Sequence, residues 1–302
     1  MESTQREDHY RISPTAKLVA YERAKSDIPY AQDISRAIGA QTVTKNMLGE
    51  EADIVSYFLA PMVESRYKAI DRKLAEASRK NILELAAGVL PRGLIMTQDP
   101  SVRYVATDLP EMIRESETVM RGIMAQSGML RSNLYFKAAN VLDLEQLTEA
   151  IKPFNGEPFT VSCEGLWMYL NPQEKRKGAD NLYELTSKHN GIWVTTDTFD
   201  TENRGRLMVP LGLKFLGMLK TVLQKLQEET GSKAEDFFFE SQAHAVKFFN
   251  DSRFNVELSP FFHADIPTTF AAVPETFDNV HDFRDKMQYC LSQRKVFVMT
   301  PR

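Results

Sequence analysis

Apolar and polar positions change their spacing along the chain. Up to residue 80 they recur at helical intervals, in 14–25 (PTAKLVAYERAK) and 51–79 (EADIVSYFLAPMVESRYKAIDRKLAEASR), and no strand-like run precedes Asn81. Pro61 falls inside the second segment and is expected to break or kink it, because proline lacks the N–H that a helix interior uses. From residue 82 short apolar runs take over, at 82–86 (ILELA), 102–107 (VRYVAT), 134–138 (LYFKA), 158–163 (PFTVSC) and 192–197 (IWVTTD). Helical stretches at 93–97, 110–126, 144–152 and 172–189 separate them. Strands alternating with helices predict parallel strands joined by right-handed crossovers, hence an α/β doubly wound sheet. Such a sheet binds its ligand at the carboxyl ends of the strands.

The last third reads differently. Runs 254–258 (FNVEL) and 295–299 (KVFVM) are strand-like, and the segment between them carries Pro260, Pro267 and Pro274 with little helical periodicity. A sixth strand followed by a hairpin-like seventh is expected. Residues 203–249 form a long helical insertion before that sixth strand. Within it, 207–226 (LMVPLGLKFLGMLKTVLQKL) is apolar on more than one face, as in a lid or substrate-cap helix, or equally a dimer or core helix. The chain therefore divides into an N-terminal helical cap, 1–80, and a sheet domain, 81–302, with the lid insertion at about 203–249.

Composition narrows the function. With 302 residues, 43% of them hydrophobic, the chain can bury a full core, and its net charge of −4 speaks against a nucleic-acid partner. Two cysteines, Cys163 and Cys290, cannot supply a disulfide framework or a four-cysteine zinc site, so a reducing, cytoplasmic setting and no metal are expected. The polar start MESTQREDHYR does not read as a signal peptide, and no apolar run is long enough for a bilayer, so no membrane partner is expected.

The turn after the first strand, ILELAAGVLPRGLIM (82–96), selects among cofactors. Gly88 and Gly93 have the separation of a P-loop, but Leu94 and Ile95 stand where lysine and a hydroxyl are needed to grip phosphate and Mg²⁺. A dinucleotide turn would need glycines where Ala86, Gly88 and Pro91 stand, and Pro91 has no N–H for a pyrophosphate. S-adenosylmethionine has no phosphate to cradle. It needs one close backbone approach, a carboxylate for the ribose, a polar group for adenine and a cation for its carboxylate. Candidate residues stand at four successive strand ends: Gly88, Asp108 (YVATDLP), Asn140 and Asp143 (AANVLDL) and Glu164 (SCEGLWMYL). Each taken singly also suits a loop cap, since Asp and Asn favour turns.

The string ILELAAGVLPRGLIM…YVATDLPEM…AANVLDL…CEGLWMYL, with ISPTAKLVAYERA and ESRYKAID before it, resembles the leucine carboxyl methyltransferase family, which includes bacterial polyketide O-methyltransferases. The resemblance covers nearly the whole chain, least at 203–249. It implies the class I methyltransferase type of sheet, seven strands with the last antiparallel. It also implies that Arg66 binds the methionine carboxylate with help from Lys17, that Gly88 and Asp108 hold the turn and the ribose, and that Asn140 and Val141 meet the adenine. Glu164 would stand near the sulfonium. Ala86 and Asn140 depart from the family, which has glycine and an acid there. The function implied is S-adenosylmethionine-dependent O-methyl transfer to a hydroxyl or carboxyl of a small, fairly apolar molecule, with Glu164, Tyr169 and His244 as candidate catalytic groups. A carboxylate acceptor needs no base, whereas a hydroxyl does better with one. A homodimer is allowed. A non-catalytic S-adenosylmethionine-binding protein and an NAD(P)-dependent oxidoreductase stay open as alternatives.

Overall fold

Four helices precede the first strand among the residues that the computed structural model describes, which are 14–49, 52–198, 200–201, 220, 224, 227, 238–263, 267–272 and 280–302. They are α1 (Pro14–Arg23), α2 (Ala31–Ala37), α3 (Ala40–Leu48) and α4 (Ala52–Ala77). The apolar spacing had shown only the first and last. Helices α2 and α3 are short, and each starts from a residue in the left-handed region, Tyr30 (φ 63°) and Gly39 (φ 61°). Elements of this length draw their stability from packing rather than propensity. Helix α4 runs without interruption through Pro61, contrary to the expected break. Burial of Phe58, Leu59, Val63, Tyr67 and Ile70 holds it across the missing hydrogen bond.

Seven strands follow, alternating with helices: β1 (Asn81–Leu85), α5 (Arg92–Met96), β2 (Arg103–Asp108), α6 (Pro110–Gln126), β3 (Leu134–Ala138), α7 (Leu144–Ala150), β4 (Thr160–Cys163), α8 (Pro172–Lys188), β5 (Ile192–Thr195), α9 (Gln242–Asp251), β6 (Phe254–Pro260), α10 (Val280–Ser292) and β7 (Lys295–Pro301). They form one sheet in the order β3-β2-β1-β4-β5-β7-β6. The first five strands are parallel, while β7 lies between β5 and β6 and is antiparallel to both. The order reverses between β1 and β4, the switch point where such sheets bind ligands. This is the class I methyltransferase topology. The β6–β7 pairing is hairpin-like as expected, but the connection is not. It contains a 3₁₀ turn at Thr268–Ala272 and the 13-residue helix α10, which buries Phe283, Met287 and Leu291 at helical spacing.

Alternate residues of each strand face opposite sides, so the sheet splits the core in two. Ile82, Tyr104, Val194 and Val296 pack with α1–α4, α6 and α10. Leu83, Val105, Trp193 and Phe297 pack with α7, α8 and α9. The helices of the N-terminal segment thus bury their apolar faces in the same cluster as one face of the sheet. On the other face Trp193 meets Trp167 at 5.2 Å and Phe249 edge-on at 5.2 Å. No helix among the described residues is long and apolar enough to cross a membrane. Of the expected lid segment 207–226, all but Lys220 and Gln224 lies outside the described residues.

Candidate cofactor site at the strand ends

The turn after β1 is shaped by two adjacent requirements. Ala86 has φ +47° and Gly88 φ +49°, so both occupy the left-handed region that normally calls for glycine. Ala86 therefore bears the strain of its Cβ in a conformation suited to glycine. A Cβ built on Gly88 would meet no atom within 4 Å, so the space over this turn is open. Asp108, the last residue of β2, reaches across to it. Its Oδ2 accepts from Gly88 N at 2.8 Å, and its Oδ1 accepts from Leu109 N at 2.8 Å. Each oxygen keeps a lone pair for a further donor. Burial raises the Asp108 carboxyl to about 6, against the pull of the two N–H groups. A polar carboxylate beside open backbone at a strand end fits a vicinal diol such as a ribose.

The other side of the site is ionic and closed. Glu164, after β4, has a side chain 1% exposed, and its Oε1 accepts from Arg23 Nη2 and Arg66 Nε, both at 3.1 Å. Its Oε2 accepts from Arg92 Nη2 at 3.0 Å. Burial alone would push this carboxyl up, but Arg66, Arg23 and Arg92 outweigh it and bring it down to about 2. Arg92, wholly buried, also pairs with Asp71 through Nε at 2.5 Å and with Glu84 through Nη1, and its guanidinium stacks on the Tyr67 ring at 4.3 Å. Three guanidiniums face three carboxylates, so the formal charges balance. Burial nonetheless raises Glu84 to about 7. Arg23 Nε and Tyr67 Oη are buried without a hydrogen-bond partner among the described residues. Among the same residues no carboxylate pairs with the Nη groups of Arg66.

Glu164 is enclosed: both of its oxygens are taken by guanidiniums, as a buried carboxylate requires. Arg66, on α4, commits its Nε to Glu164. Lys17 stands half-buried on α1, and the residue of that helix that reaches Glu164 is Arg23.

The turn carrying Glu164 is fixed from below by Asp197. The Asp197 carboxylate, fully buried just past β5, accepts from Gly165 N at 2.7 Å, from Leu166 N at 2.7 Å and from Trp167 N at 3.3 Å. Gly165 has φ +86°, which lets three successive N–H groups converge on one carboxylate. Tyr169 ends the 3₁₀ turn that follows, half-buried, with its Oη 3.4 Å from Thr15 Oγ1 on α1. Trp167 is 1% exposed and belongs to the core.

Past β3 the polar residues divide. Asp143 caps α7, accepting from Glu145 N and Gln146 N, which is the loop-cap role. Asn140 Oδ1 accepts from Leu142 N at 2.9 Å and retains one lone pair. The Val141 side chain is buried and its carbonyl accepts from Asn181 Nδ2 at 2.9 Å. His244 lies in the first turn of α9 with its side chain 44% exposed, beside Glu240 and edge-on to Phe239. Ser241, capping that helix through His244 N, sets the turn in this position.

Arg23, Arg92, Asp71, Glu84 and Asp197 were not singled out from sequence. Two of them had a signal: Glu84 interrupts the apolar strand ILELA, and Arg92 interrupts the apolar stretch VLPRGLIM. Charged residues in buried runs must find partners. Among the described residues no group of three or more His, Cys, Asp or Glu is arranged to hold a metal.

No protein-family model matches the chain. No curated protein matches it. Solved structures do. A DUF574 family protein from Streptomyces avermitilis superposes with a TM-score of 0.57 at 13% identity, covering 95% of this chain and 97% of that one. Magnesium protoporphyrin IX methyltransferase from Synechocystis PCC 6803, solved with bound SAH, superposes at 0.45 and 11% identity over 94% of this chain and 93% of that one. An O-methyltransferase family protein from Burkholderia thailandensis superposes at 0.44 and 13% identity over 89% and 71%. At these identities the likeness is one of fold.

Proposed function

We propose that the protein is an S-adenosylmethionine-dependent O-methyltransferase of the leucine carboxyl methyltransferase type, acting on a hydroxyl or carboxyl of a small, fairly apolar molecule. The observation that carries this reading is the pairing of Asp108 with the Gly88 backbone beneath open space, at the carboxyl ends of β1 and β2. In that position Asp108 would accept the two ribose hydroxyls. Gly88 would let the cofactor lie against the backbone. Asn140, after β3, would meet the adenine edge, and Arg66 with Lys17 would meet the methionine carboxylate. A guanidinium already oriented through its Nε suits that bidentate contact.

The bound cofactor supplies an activated methyl group, so the protein's contribution is position and orientation. Tyr169, in the 3₁₀ turn that follows Glu164, is the candidate for orienting the acceptor. The aliphatic composition of residues 207–226 favours an apolar acceptor. Pro91, at the start of α5, offers no N–H to a pyrophosphate, which weighs against a nicotinamide cofactor.

Calorimetric titration with S-adenosylmethionine and S-adenosylhomocysteine tests the reading. Binding by the wild type is expected, with marked weakening in Asp108→Ala and Arg66→Ala. A wild type that binds neither compound, or variants that bind like it, would refute the proposal.

A further inference from the structure

The proposed cofactor reading gives the buried Arg92 no task. Arg92 is too deep to touch a ligand, with no exposed side-chain surface. It nevertheless ties together three elements that border the site. Its Nε bonds Asp71 on α4 at 2.5 Å, its Nη1 bonds Glu84 on β1, and its Nη2 bonds Glu164 after β4 at 3.0 Å. Glu164 in turn spends its other oxygen on Arg23 and Arg66. An unbroken chain of ion pairs thus runs from Arg92 through Glu164 to the guanidinium proposed to meet the methionine carboxylate. Such a fork discriminates only if its plane is fixed.

We infer that Arg92 and Glu164 are positioning residues for the amino-acid end of the cofactor: Arg92 fixes Glu164, and Glu164 orients Arg66. This rests on the S-adenosylmethionine reading and adds a division of labour within it. The adenosine end depends on Asp108, and the amino-acid end depends on the ionic chain.

The test uses two probes of different length. S-adenosylhomocysteine carries both ends, whereas 5′-methylthioadenosine lacks the amino acid. Dissociation constants of both are measured by calorimetry for the wild type, Arg92→Lys and Glu164→Gln, each shown to be folded by a cooperative melt. Arg92→Lys keeps the charge but loses the planar fork whose Nε, Nη1 and Nη2 each reach a different carboxylate. Glu164→Gln keeps the shape but turns an amide N–H₂ toward a guanidinium.

Both variants are expected to bind S-adenosylhomocysteine at least about tenfold more weakly, the scale of one charged hydrogen bond, with methylthioadenosine affinity unchanged. A general loosening of the fold would weaken both probes together, and that result overturns the inference. Unchanged binding of both overturns it as well. A wild type that binds methylthioadenosine and S-adenosylhomocysteine equally well also overturns it, since the amino-acid end would then contribute nothing. A wild type that binds neither refutes the cofactor reading on which it rests.

Discussion

Lowering the pH is the most direct probe of Asp108. Its carboxyl is raised from 3.8 to about 6 by burial, although Gly88 N and Leu109 N both donate to it. A protonated carboxyl has lost half its capacity to accept the two hydroxyls of a ribose, so the ionised form is the one that binds. With a value of about 6, roughly nine-tenths of the groups are ionised at pH 7 and roughly one-tenth at pH 5. The apparent Kd for S-adenosylhomocysteine is therefore expected to be about tenfold higher at pH 5 than at pH 7. The stability of the empty protein moves the other way. A carboxyl raised on folding contributes stability that is full below about 3.8 and lost as the pH rises through about 6. At about 1.4 kcal/mol per pH unit, the ionised group costs about 3 kcal/mol at pH 7. Asp108→Asn removes that cost and keeps one acceptor, so it should be at least as stable as the wild type at pH 7 while binding poorly at every pH. Calorimetric titrations from pH 5 to 8 at constant ionic strength, paired with urea denaturation, measure both effects. A wild-type affinity independent of pH, or a pH dependence that survives in Asp108→Asn, would show that Asp108 does not face the ligand.

Three further outcomes follow from the geometry. Ala86→Gly should raise stability by about 0.5–1 kcal/mol in urea denaturation, the left-handed strain relieved less the added freedom of the unfolded chain, and a loss of stability would contradict the φ of +47°. Asp197→Ala strips the acceptor from Gly165 N, Leu166 N and Trp167 N and should cost about 3 kcal/mol, so an unchanged denaturation midpoint would count against the anchoring role. Glu64 accepts from Thr268 N at 2.7 Å and from Thr269 N at 2.9 Å as well as from both hydroxyls, so Glu64→Ala should speed amide exchange at those two residues selectively; exchange that stays slow would show that other contacts hold the segment.

The sheet was legible because each of its strands is an apolar run with little competing pattern. All seven strands stand within a few residues of the expected runs, and helix α6 has the same bounds as its expected stretch. Helix α10 escaped notice although Phe283, Met287 and Leu291 lie at helical spacing, because three prolines upstream made the whole segment read as irregular. Helices α2 and α3 left only weak traces, since short helices form where packing allows rather than where the local sequence insists. Pro61 misled in the opposite direction: a helix buried along most of its length can absorb one missing hydrogen bond.

The strand-end acids show why a site is harder to read than a sheet. Asp108, Glu164 and Asp197 all stand at or just past strand ends, and in local sequence they look alike. In space they have three different fates. Asp108 bonds two N–H groups and borders open backbone, which leaves its remaining lone pairs to a ligand. Glu164 is enclosed by three guanidiniums, two of them contributed by helices α1 and α4 that lie far from it in the chain. Asp197 is consumed by the backbone of the turn after β4. What separates them is the count of donors that arrive from elsewhere, and that count depends on tertiary contacts across as many as 141 residues. The sequence does hold a partial measure of it. An arginine inside an apolar stretch, such as Arg92, must end on a carboxylate, and the nearest buried candidates are strand residues such as Glu84 and strand-end residues such as Glu164.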